Sequence, residues 1–143
     1  MTTSARYVVD ASVAIKWFTK AGEDSENSQK LLSAHVDGTS PLASSSLLLY
    51  EVCNALRFNP NLQEDDLVKA AASLTKLQIE MVNFAEVSRI AIALAFARDI
   101  TIYDSAYIAV SQALHIPLVT ADYKLLGKIK NVPLVIPLNE LEL

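Results

Sequence analysis

Cysteine is almost absent from this 143-residue chain: Cys53 stands alone. No disulfide can form within it, which fits a reducing compartment. Glycine and proline are scarce, at three and five residues, so a collagen-like or low-complexity chain is excluded. Long apolar runs are missing as well. The longest, Ile90 to Ala97, has eight residues, against the roughly 20 that a membrane-spanning helix needs. Residues 1–20 are broken by Asp10 and Lys16, which leaves no uninterrupted secretory apolar region. Nor is there a basic excess: 12 Lys and Arg face 16 Asp and Glu, a net charge of −4. Taken alone, that balance argues against gripping nucleic acid by bulk electrostatics. What is abundant is hydrophobic sequence, 52% of the chain. The expectation is a soluble, cytoplasmic protein with no membrane segment, folded as one domain over residues 1–143 around a core of its own.

Short β-branched runs alternate with longer helical patterns. Tyr7-Val8-Val9 reads as a buried strand and is followed at once by a helix from Ser12 to Phe18. A polar helix with Leu31, Leu32 and Val36 on one face ends at Gly38. Further strands are expected at Pro41–Ala43, Gln78–Val82, Pro117–Thr120 and Pro133–Ile136, and further helices at Ser46–Phe58, Gln63–Leu77, Ala85–Arg98, Asp104–His115 and Tyr123–Lys130. Such alternation predicts an α/β domain of three layers, α/β/α, with a central parallel sheet. Ligands of such sheets sit beyond the carboxyl ends of the strands.

Four acids occupy positions where a structural carboxylate is hard to justify. Asp10 ends the first strand and Asp122 follows Leu118-Val119-Thr120-Ala121, so both fall at strand-to-helix junctions. Helix capping is the alternative for each, and also for Asp104, which opens a helix in an apolar setting. Glu51 lies inside a helix on the row Leu47/Leu48–Glu51–Ala55/Phe58, the stripe expected to face the core, with Asn54 on the same face. A buried, unpaired carboxylate there costs several kcal/mol. If all four acids converge, each pair about 5 Å apart repels by roughly 3 kcal/mol at an effective dielectric near 20. A cation resolves this, and an all-oxygen donor set selects Mg²⁺ or Mn²⁺ over Zn²⁺. His35 and His115 have no ligand spacing and read as surface or helix-end residues. With the four acids set aside, twelve acidic and twelve basic residues remain. One or two bound divalent ions then turn a phosphate-repelling region into an attracting one. Lys16 and Lys20 follow Asp10, and Lys124 and Lys128 follow Asp122; solvated helix faces are the plain reading of all four and the preferred one for Lys20 and Lys128.

The ordered set Val8-Val9-Asp10-Ala11-Ser12, Glu51-Val52-Cys53-Asn54-Ala55-Leu56, Tyr103-Asp104-Ser105-Ala106-Tyr107-Ile108-Ala109 and Leu118-Val119-Thr120-Ala121-Asp122 resembles the PIN-domain ribonucleases, most of all the VapC-type toxins of toxin–antitoxin pairs. The match runs over roughly residues 6–138. It implies a Mg²⁺- or Mn²⁺-dependent endoribonuclease whose acidic quartet falls on Asp10, Glu51, Asp104 and Asp122, with Ser12 or Thr120 supplying a hydroxyl. It also implies an antitoxin docking near that site and a homodimer or higher assembly. The chemistry expected is metal-assisted hydrolysis of an RNA phosphodiester, with the ion held chiefly by Asp10 and Asp104 and the shell completed by Asp122 and Glu51. Related domains process RNA without an antitoxin, which is one alternative. Two others are a phosphoacceptor domain modified at Asp10 and a catalytically idle binding module whose acids are caps and buried pairs.

The remaining hydrophobic residues have plainer readings. Ile90–Ala97 is apolar at every azimuth, which predicts a helix buried all round, either inside the domain or partly under a second subunit. Trp17 and Phe18 are expected in the core, with an antitoxin-facing patch as the alternative, and Cys53 as a small buried hydrophobe.

Overall fold

The protein is described here by a computed structural model covering residues 5–20 and 22–143. The expectations for residues 1–20 and for a single domain over 1–143 extend onto residues 1–4 and 21, which lie outside the described residues. Strands β1 (Tyr7–Val9), β2 (Leu42–Ser45), β3 (Glu80–Val82), β4 (Leu118–Thr120) and β5 (Val135–Pro137) form one sheet in the order β3-β2-β1-β4-β5. Every pairing is parallel. The helices are α1 (Ala11–Ala14), α2 (Lys16–Thr19), α3 (Ser25–Val36), α4 (Leu48–Arg57), α5 (Glu64–Lys76), α6 (Phe84–Arg98), α7 (Ile102–Leu114) and α8 (Tyr123–Leu126). The three-layer α/β/α architecture is as expected.

The central strands carry the core. Val8, Val9, Ala43, Leu118 and Val119 are fully buried, because β1 and β4 have neighbours on both edges and helices over their faces. Helix α7 lies across β1, β2 and β4, and α6 packs against α7. Its buried run from Ser105 to Ser111 makes α7 the central helix of the domain. Trp17 is in the core as expected, with its indole N–H donating to the Ser28 carbonyl at 2.9 Å. No buried side-chain polar atom among the described residues lacks a partner.

With so few glycines, the chain ends its helices on residues that carry a Cβ. Lys20, Asp99 and His115 close α2, α6 and α7 at φ 53°, 52° and 56°, and Gln78 follows α5 at φ 54°. Left-handed backbone costs an L residue roughly 1–2 kcal/mol. Gly38, at φ 83°, is where the scarce glycine is used in that role, just after α3.

Several local expectations are corrected. The helix through Ser12–Phe18 is two short segments broken at Ile15. Val36 is 67% exposed rather than core-facing, because α3 has turned its last residue off the Leu31 side. Helix α8 stops at Leu126, with Gly127 as its cap, instead of running to Lys130. Of the two readings of Ile90–Ala97, the helix buried wholly inside the domain is also overturned. In α6 only Val87, Ala91 and Ala95 are buried, while Ile92 is 44% and Phe96 85% exposed. One face rests on α7, and the opposite face, apolar as it is, meets solvent. Cys53 is half-buried.

Candidate active site

The strand order reverses between β1 and β4: β2 and β3 extend to one side, β5 to the other. Crevices at such a reversal are where open α/β sheets bind ligands. Because Val9 is in register with Val119, the next residues, Asp10 and Thr120, meet at the carboxyl edge. Thr120 Oγ1 donates to Asp10 Oδ2 at 2.5 Å, and Ser12 Oγ donates to Oδ1 at 2.5 Å. The Ser12 hydroxyl also accepts the Ala121 N–H at 2.8 Å, and Thr120 Oγ1 accepts the Asp122 N–H at 3.1 Å. Two side-chain hydroxyls thus tie β1 to the segment after β4.

Asp10 is only 6% exposed. Burial pushes its carboxyl up to about 6, although the Ser12 and Thr120 hydroxyls and the Val13 N–H pull it down; the charge of Asp122 adds to the rise. Capping and site geometry coincide here, since Asp10 Oδ1 accepts the Val13 N–H at 3.3 Å and so caps α1. Asp122 likewise caps α8 through the Leu125 N–H at 2.9 Å.

Asp104 is not a cap. Thr101 is the residue that caps α7, its hydroxyl accepting the Asp104 N–H at 3.0 Å. That places Asp104 in the first turn, half-buried. Desolvation raises its carboxyl, with the Asp122 charge second, against lowering by Thr101 and by Lys128.

Glu51 corrects the sequence reading in two ways. The buried stripe of α4 is Leu48–Val52–Leu56, whereas Ala55 and Phe58 are exposed along with Asn54. Glu51 therefore borders the core instead of lying in it. Nor is it unpaired: Tyr107 OH donates to Glu51 Oε1 at 2.5 Å. Desolvation raises Glu51, the Tyr107 hydroxyl lowers it, and Asp104 raises it. Tyr107 feels burial first, then Glu51, Asp10 and Asp104, and its phenol is held far above its ordinary range. Sequence reasoning missed Tyr107 as a site residue, and also Thr101. The available signal was spacing, since Tyr107 is three residues after Asp104 and shares its helix face.

The four acids are close enough for their charges to act in a chain, Asp10 with Asp122, Asp122 with Asp104, and Asp104 with Glu51. Among the described residues, however, no three acidic, histidine or cysteine side chains converge into a ready-made cation cage. The donor set is all oxygen, which suits a hard divalent cation, and raised carboxyl pKa values mark uncompensated charge. His35 is far from this chemistry. Its Nε2 donates to the Leu77 carbonyl at 2.6 Å while Nδ1 accepts the Leu42 N–H at 3.0 Å, so it joins α3 to β2 and to the residue ending α5.

Of two hollows, the first takes two of the acids into its lining and the second none. One, of about 160 Å³, is lined by Asp104, Asp122, Lys124, Leu125 and Lys128. The other, of about 260 Å³, is apolar and is bordered by Leu47, Tyr50, Phe84, Ile102 and Tyr103. Tyr50 and Tyr103 are the sequence neighbours of Glu51 and Asp104. Elsewhere, Lys16 Nζ pairs with Asp24 Oδ1 at 2.9 Å, and the Tyr123 hydroxyl also donates to Asp24.

A family model described as the PIN domain matches residues 7–131. No curated protein matches the sequence closely enough to count as a relative. Among solved structures, a chain of a toxin–antitoxin complex from Klebsiella pneumoniae superposes with a TM-score of 0.67 at 16% identity, covering 94% of this chain and 99% of that one. PAE2754 from Pyrobaculum aerophilum gives 0.60 at 26% identity, covering 97% and 93%. A chain of VapBC2 from Rickettsia felis, bound to a DNA fragment from its promoter, gives 0.63 at 17% identity, covering 92% and 98%. At such identities the likeness is one of fold.

Proposed function

The chain belongs to the PIN domain family, and from that premise we propose that it is a Mg²⁺- or Mn²⁺-dependent endoribonuclease, the toxin of a toxin–antitoxin pair acting in the cytoplasm. The observation that carries this reading is Asp10, a carboxylate 6% exposed at the sheet's switch point, raised to about 6 and coupled to Asp122. A carboxylate kept there against desolvation and like charge calls for a compensating cation.

Asp10, Asp104, Asp122 and Glu51 are the residues that would hold the ion. When bound, it supplies charge neutralisation and a water acidic enough to attack phosphorus near neutral pH. The chain's own residues do the rest. Ser12 and Thr120 fix both oxygens of Asp10, so its orientation is set before any ligand arrives. Tyr107 holds Glu51 toward Asp104. Asp122, tied down as the α8 cap, adds negative charge between Asp10 and Asp104. The carboxylates are thus pre-positioned, while their mutual repulsion falls only when a cation enters.

An antitoxin is supported by the apolar hollow bordered by Tyr50 and Tyr103, the sequence neighbours of Glu51 and Asp104, which remain 77% and 60% exposed. Homodimer formation is supported by the solvent-facing Ile92 and Phe96 on α6. Calorimetric titration with Mn²⁺ tests the central point. Wild-type protein is expected to bind and, once loaded, to cut a labelled RNA; Asp10→Asn is expected to lose both. A wild-type protein that takes up no Mn²⁺ and leaves RNA intact refutes the reading.

A further inference from the structure

The hollow formed by Asp104, Asp122, Lys124, Leu125 and Lys128 has an unusual lining: two carboxylates and two ammonium groups within about 160 Å³. Neither lysine is within salt-bridge distance of these acids, the salt bridges among the described residues being Arg6–Glu80, Lys16–Asp24 and Lys30–Glu26, although the Lys128 charge acts on Asp104 across the hollow. Both lysines are exposed. They are nonetheless held in place from the backbone up. Asp122 caps the turn at Leu125, the Leu126 N–H reaches the Asp122 carbonyl at 3.1 Å, and the Lys128 N–H reaches the Leu125 carbonyl at 2.8 Å. Leu125, 5% exposed, anchors the segment in the core between the two lysines. The cap that orients Asp122 therefore also sets where Lys124 and Lys128 emerge.

We propose that Lys124 and Lys128 form a phosphate subsite, which takes a backbone phosphate of the RNA next to the one being cut. The proposal rests on the nuclease reading and extends it to a named part of the substrate. Ammonium groups are point-charge donors suited to non-bridging phosphate oxygens. Their charge lies where a polyanion needs it most, beside carboxylates that repel it. The chain as a whole offers no basic excess to do this, at a net charge of −4. Two lysines outside the ion pairs of the described residues, at the mouth of the acidic edge, supply a local attraction that the overall composition lacks.

The test uses Glu51→Gln as a cleavage-silent background, because Glu51 does not line this hollow. Binding of a fluorescent oligoribonucleotide is measured by anisotropy with Mn²⁺ present, from 50 to 200 mM KCl. Lys124→Gln/Lys128→Gln is expected to weaken binding about tenfold at 100 mM salt. The slope of log K against log salt should become shallower by about 0.7 for each phosphate that is no longer neutralised. The Lys→Arg pair keeps the slope. In the active protein, the Gln pair raises KM with kcat within about twofold. An unchanged slope and KM, in protein that still binds and cuts RNA, overturns the subsite while sparing the nuclease. If instead wild-type protein neither binds nor cuts RNA, both ideas fall together. A drop in binding that the Arg pair shares, accompanied by a lowered Tm, means that the lysines are structural and also overturns the proposal.

Discussion

Asp10→Asn is expected to stabilise the metal-free protein at neutral pH while abolishing cleavage. Asparagine keeps the shape of the protonated acid, and its amide still meets the Ser12 and Thr120 hydroxyls, which can accept as well as donate. In the unfolded chain Asp10 ionises near 3.8, and in the fold burial pushes it up to about 6. The native state therefore holds the proton more tightly. Its stabilising contribution is complete below 3.8 and is lost as pH climbs through 6. A rise of about two pKa units corresponds to about 3 kcal/mol, and at 6% exposure little of it is screened. At pH 7.5 the wild type carries nearly all of this loss and the variant none. In a chain of this length that is about 10 °C in Tm. Thermal and urea unfolding in chelator should give nearly coincident curves at pH 4 and a gap in favour of the variant at pH 7.5. Adding Mn²⁺ should close the gap by stabilising the wild type alone. If Asp10→Asn is the less stable protein at pH 7.5 in chelator, ionised Asp10 is a structural anchor and the repulsion argument is wrong.

Tyr107→Phe removes the hydroxyl that Glu51 accepts. It should cost about 1 kcal/mol in urea unfolding, after allowance for the half-exposure of Glu51, and lower kcat more than it raises KM. Phe96→Glu, at a site 85% exposed, should leave the unfolding midpoint within about 0.5 kcal/mol of wild type. The same variant should shift the sedimentation profile toward monomer; an unaltered profile removes α6 from the dimer interface. His115→Gly relieves left-handed backbone at φ 56° and should raise stability by about 0.5–1 kcal/mol with activity unchanged.

The centre of the fold was legible because β1 and β4 are short, β-branched and buried on both faces, so each reads as an apolar run between turn signals. Asp10 and Asp122 were legible for the same reason, as charged residues ending such runs. Helix faces were harder. On α4 the sequence points the row Leu47/Leu48–Glu51–Ala55/Phe58 at the core, whereas the wholly apolar row Leu48–Val52–Leu56 is the buried one. Packing against α5 and α1 decides between them. On α6 every azimuth is apolar, so no pattern could say which side meets α7. Asp104 reads as a cap in the sequence because the true cap, Thr101, lies within the apolar run Ile100-Thr101-Ile102-Tyr103, ahead of where the sequence predicts the helix to begin. Tyr107 could not be matched to Glu51, 56 residues away, before the topology had brought α4 and α7 together.

The hydroxyl tie at the sheet's carboxyl edge has a consequence for biosynthesis. Ser12 and Asp10 emerge from the ribosome early, but their partners Thr120 and Ala121 lie 108 to 110 residues later. Until those are released, no half-made chain can hold Asp10 in its working orientation or bring Asp122 beside it. A nascent polypeptide stalled before that point lacks the hydroxyl tie, whatever else of it has folded.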